Sequence, residues 1–164
     1  MSKTTPNIYS FSLPGEQPHT TEQEELKQLA RLIKKFAPHD GQFQVGLPGI
    51  QFARTSSPTH LSEKIPAKSG LCIVASGEKA VYLGEKKYWY DESRMIVYAA
   101  DVPIQGQIVK ADENNPFLCL VIEIDHKALA DYIVKAYPEG IPKIKETQAI
   151  YVGNSNPKIV KSAI

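Results

Sequence analysis

The stretch "LCIVASGEKAVYLGEKKYWYDESRMIVYAADVPIQGQIVK", residues 71–110, decides the fold. Its apolar runs are short, they alternate with polar residues, and each is cut by turn chemistry: Gly77-Glu78, Gly84-Glu85, Asp91-Glu92-Ser93 and Pro103. A period of two broken by such turns reads as a series of hairpin-connected strands. The pattern extends in both directions. "FQVGLPGIQFART" at 43–55 reads as strand, Pro-Gly turn and strand, and "FLCLVIEI" at 117–124 reads as one further strand. Roughly eight short strands at spacings of about 8–12 residues, with no helix between them, predict an antiparallel sandwich or barrel.

Helical spacing appears only at the flanks. In "TTEQEELKQLARLIKKF" acids fill the first turn and bases the last, as the helix dipole favours. Leu26, Leu29, Ile33 and Phe36 make one apolar stripe, so a helix is predicted over 22–36 and ended by Pro38. After Asp125, an expected N-cap, "HKALADYIVKAYPEG" returns to the same spacing through Leu129, Ile133 and Val134. Residues 1–20 are polar and proline-containing and are expected to be a flexible lead. Residues 21–137 form the predicted domain, and 138–164 form a C-terminal extension with a strand at 149–152 and a short helix after Asn156-Pro157.

The chain has 164 residues, one domain's worth, and a net charge of +1. That balance gives no electrostatic basis for gripping nucleic acid or an anionic membrane. No apolar run is long enough to span a bilayer, and no secretory leader opens the sequence, so a cytoplasmic location is expected. Cys72 and Cys119 each sit in an apolar run and are expected as buried free thiols.

Chemistry-bearing motifs are scarce. His19, His39, His60 and His126 are scattered, so no His-x-His or HExxH pair offers a metal site. No nucleophile elbow or phosphate loop appears, and no catalytic set, metal or cofactor is expected. What remains is aromatic. Tyr82, Tyr88, Trp89 and Tyr90 fall close together, followed by Tyr98. Alternation puts Tyr88 and Tyr90 on one face and Trp89 on the other. Two uses are open for these rings: packing the sandwich with hydroxyls at its rim, or lining a pocket with an apolar wall and a few polar handles. The candidate pocket residues are Tyr82, Tyr88, Tyr90, Tyr98 and Gln107, with Arg54 for an anionic group.

The segments "LARLIKKFAPHDG" (29–41), "VGLPGIQFARTSSPT" (45–59) and 69–125, in that order and spacing, resemble the N-terminal domain of a branch of AraC-type transcription regulators. The resemblance implies a mainly β, cupin-like antiparallel β-barrel (a double-stranded β-helix) with an N-terminal helix and C-terminal helices. It also implies an unknown small-molecule effector and a homodimer, with the seam expected at Leu129, Ile133 and Tyr137. In that family DNA is bound by a following helix-turn-helix domain, which this sequence does not include. Two other readings compete: a free-standing cupin-type isomerase or dioxygenase, and a purely structural dimerisation domain.

Overall fold

The computed structural model describes residues 10–11, 20–143 and 147–164. Most of the expected N-terminal lead, including His19, lies outside these. Eleven strands and three helices are present among the described residues. In chain order they are β1 (Ser10–Phe11), α1 (Thr20–Phe36), β2 (Gly41–Gln44), β3 (Ile50–Thr55), β4 (Ile65–Ala67), β5 (Gly70–Ser76) and β6 (Glu78–Leu83). Then follow β7 (Lys86–Asp91), β8 (Arg94–Tyr98), β9 (Val102–Lys110), β10 (Phe117–Glu123), α2 (His126–Ala136), β11 (Ile150–Asn154) and α3 (Pro157–Ser162).

The strands make two sheets. The larger runs β1-β11-β8-β5-β10-β3-β2 and the smaller β4-β9-β6-β7. Every pairing is antiparallel except β1 with β11. The two sheets face each other across one core, built from Cys72, Val74, Ile96, Tyr98, Phe117, Cys119, Ile150 and Val152 on one side and Val81, Tyr90, Ile104 and Ile108 on the other. The expected barrel is therefore realised as a cupin-like pair of facing sheets that do not close by a continuous ladder.

The smaller sheet ends in β4. Pro66 lies opposite Pro103, and proline cannot donate to a ladder. The preceding connection takes over with side chains: Thr59 Oγ1 accepts from Ile108 N at 2.9 Å and Ser62 Oγ from Gly106 N at 2.9 Å. The polar segment expected as a plain loop thus covers this sheet edge and contributes β4.

A second core lies on the outer face of the larger sheet. Leu26, Leu29, Ile33 and Ala37 of and just after α1, with Val160 of α3, pack on Phe52, Ile73, Ala75, Leu118 and Leu120. Phe36, expected in the buried stripe, is half exposed, because Ala37, four residues after Ile33, takes the inner position. Strands β5 and β10 are consequently buried on both faces, which is why "LCIVA" and "FLCL" read as unbroken apolar runs.

The C-terminal segment is built into the domain. β11 lies between β1 and β8, and Ile150 and Val160 are fully buried. Asp125 and Asn156 cap α2 and α3 as expected, Asp125 accepting from the Lys127 and Ala128 N–H groups and Asn156 from the Lys158 N–H. No helix among the described residues is long and apolar enough to cross a membrane.

Candidate ligand site between the sheets

Strand parity decides which side chains enter the cage between the sheets. On β7, Tyr88 and Tyr90 point inward while Trp89 points outward, where its Nε1 donates to Glu78 Oε1 and the Arg94 guanidinium stacks on its ring at 5.0 Å. Tyr98 enters from β8 of the opposite sheet. The Tyr90 and Tyr98 phenols lie close enough to act on each other's ionisation. Burial, foremost, pushes both phenols well above the ordinary tyrosine value, and it raises the half-buried Tyr88 as well.

Beside the phenols lie the two thiols. Cys119 pairs with Val74 and Cys72 with Val121 on adjacent strands, so the cysteines are diagonal neighbours on the inner face. Both are free and buried, Cys119 Sγ donates to the Leu120 carbonyl at 3.5 Å, and the two cysteine side chains interact. That contact, followed by burial, raises the Cys119 thiol, and the same contact holds Cys72 lower.

The predicted pocket residues separate into two groups. Tyr88, Tyr90 and Tyr98 come together in the cage. Tyr82 does not join them: it pairs with Lys87 on the outer face, and the Lys87 ammonium sits 5.7 Å from its ring centroid. Gln107 also faces outward, opposite Ala80, because Ile104 and Ile108 take the inward positions of β9. Arg54 lies on the outer face of β3 at the end of α1. Its Nη1 donates to the Ala37 and Pro38 carbonyls, both at 3.1 Å, and its Nε is 3.7 Å from Asp40 Oδ1. Its place is a helix C-terminus, not the cage.

Of the predicted seam, Leu129 and Tyr137 are exposed and Ile133 is half-buried; α2 has no buried residue at all. Its base is pinned, since His126 Nε2 is 2.8 Å from the buried Ser69 Oγ. Among the described residues, no three His, Cys, Asp or Glu are grouped so as to hold a metal ion.

One inward residue went unread in the sequence. Lys79 of β6 pairs with Tyr90 on one side and Ile108 on the other, so it shares their inner face. The signal was present: in "EKAVYL", Lys79 alternates with Val81 and Leu83.

The sequence pattern described as "AraC-type transcriptional regulator N-terminus" matches residues 46–164. The chain belongs to that family. One solved structure agrees at the level of fold. This AraC-type domain superposes on apo ToxT from Vibrio cholerae, in a lysine-to-alanine variant, with TM-score 0.50 and 10% identity, covering 73% of this chain and 47% of that one. Wild-type ToxT with unsaturated fatty acid bound gives TM-score 0.44 and 8% identity, over 70% and 43%. A cupin-2 domain protein from Shewanella frigidimarina gives 0.40 and 14%, over 63% and 98%. The AraC-type domain thus spans about half the length of the ToxT structures it matches. No curated protein matches it in sequence.

Proposed function

We propose that this AraC-type domain senses a small-molecule effector in the cytoplasm and forms a homodimer, as one part of a transcription regulator whose DNA contacts belong to a separate helix-turn-helix domain. The observation that carries this reading is the enclosure of polar groups, Tyr88, Tyr90, Tyr98 and the thiol pair, inside an apolar cage of a regulator-family domain. An apolar wall with a few converging polar handles is the usual composition of a small-molecule site. The net charge of +1 supports assigning the phosphate contacts elsewhere. Binding acts by population shift: an effector that favours one geometry of the facing sheets biases the arrangement of whatever the domain is joined to.

A second reading is a side-chain-filled cage that serves dimerisation alone. Full burial of Val81, Ile96 and Tyr90 favours it. A thermal-shift screen of the chain against a metabolite library separates the two. The sensing reading expects at least one compound to raise the melting temperature of the wild type and to lose that effect in the Tyr88→Phe/Tyr90→Phe variant. A library without any stabilising compound supports the filled cage.

A further inference from the structure

Lys79 is a charged side chain turned into the cage, and among the described residues it has no acidic partner. It stands between the buried Tyr90 and Ile108 on the inner face of the smaller sheet. Its stem passes over Gly106 of the neighbouring strand: a Cβ placed on Gly106 would lie 3.2 Å from Lys79 Cε and 3.8 Å from Nζ. The missing side chain at Gly106 therefore leaves room for the lysine to lie along the cage wall. The β6–β9 register shifts between Glu78 and Lys79. A break in register of this kind changes where the adjacent side chain is aimed. The ammonium acts on both cage thiols, drawing each toward its ionised form.

No described carboxylate forms an ion pair with Lys79. The residue is half-buried. A cation held partly out of water without a counter-charge is unfavourable compared with an apolar residue of the same length. A purely structural position between a buried tyrosine and a buried isoleucine calls for methionine or leucine.

We propose that Lys79 is the anion anchor of the cage, and that the effector is an organic anion, a carboxylate or sulfonate, whose apolar body lies against the aromatic and aliphatic lining while its charged group meets the Lys79 ammonium. This rests on the cage being the ligand site. Of the six residues first read as site candidates, Arg54 was the one chosen for an anion, and it is committed to the end of α1. Lys79 supplies that charge from inside.

The test pairs charged and neutral probes of one shape. Acetate, hexanoate, 1-naphthoate and 1-naphthalenesulfonate, together with neutral hexan-1-ol and 1-naphthalenemethanol, are titrated at millimolar concentrations against the wild-type chain, Lys79→Met and Lys79→Arg. Binding is read by calorimetry and thermal shift. At least one anion is expected to bind the wild type, to weaken by about tenfold or more in Lys79→Met, and to be largely retained in Lys79→Arg. Lys79→Met without ligand is expected to be at least as stable as the wild type, which shows that the loss is not misfolding. Anions binding wild type and Lys79→Met equally would overturn the anchor and leave the sensing reading standing. So would binding of the neutral probes alone. If no anion binds the wild type, the ligand class proposed here is wrong.

Discussion

At the scale of single residues, burial has made two tyrosines depend on remaining protonated. Tyr90 and Tyr98 have raised phenol values in the folded chain, while in the unfolded chain they titrate near 10. A group whose folded value lies above its unfolded value keeps its full contribution below the unfolded value and loses it as pH climbs toward the folded one. Stability measured by urea is therefore expected to be level for these groups up to about pH 9 and to fall above about pH 10, by about 1.4 kcal/mol per pH unit for each phenol. Tyr90→Phe removes one of the two contributions and makes the alkaline limb shallower; an unchanged slope would contradict the buried pair. Arg54 gives a prediction of a different kind. Replacing it with methionine removes two hydrogen bonds to the carbonyls that end α1, at a cost of about 1–3 kcal/mol in chemical denaturation, with ligand binding untouched. Sequence could not place Arg54, because its partners lie 16 and 17 residues back along the chain, across a helix–strand contact. Tyr82 was within reach. The Gly84-Glu85 turn sets Leu83 opposite Lys86, which puts Tyr82 beside Lys87 and on the face opposite Tyr88.

At the scale of elements, turn chemistry and strand rhythm were enough to recover every strand but β4 between residue 42 and residue 124, both later helix caps and the expected strand near 150. Their assignment to two sheets was not legible, since successive strands pass back and forth between sheets. Gly77 marks one such crossing, between β5 in the larger sheet and β6 in the smaller. Its φ is +83°, and a Cβ there would lie 2.6 Å from the Lys110 carbonyl oxygen and 2.9 Å from Phe117 Cα. These neighbours are backbone and cannot swing aside. Gly77→Ala is expected to destabilise the chain by about 2–4 kcal/mol in a urea melt, combining left-handed strain with the steric conflict. A loss under half a kcal/mol would mean the crossing is not as tight as described. The orientation of Cys72 and Cys119 was equally hidden. Where both faces of a strand are buried, alternation vanishes and the sequence carries no mark of which side is which.

At the scale of the whole molecule, the surface is least explained at α2. Tyr132 is 66% exposed and Val134 72%, while Leu129 and Tyr137 are also open. Apolar side chains on several sides of a helix with no buried residue suit contact with a second copy of the chain. Sedimentation velocity is expected to show a dimer, weakened by about tenfold or more in Leu129→Glu/Tyr137→Glu. A wild type that stays monomeric at high concentration would remove that seam. The family itself was legible from the order of motifs; the parity of Lys79 was legible too, in the alternation of "EKAVYL", but its place beside the thiols emerges only once the two sheets are set face to face. The same arrangement gives β5 and β10 a double allegiance. Cys72 and Val74 belong to the cage, and their sequence neighbours Ile73 and Ala75 form the seat of α1. Close-packed interiors have little slack to absorb displacement. Any displacement of this partition from within is therefore expected to be felt at the first helix, across a wall one strand thick.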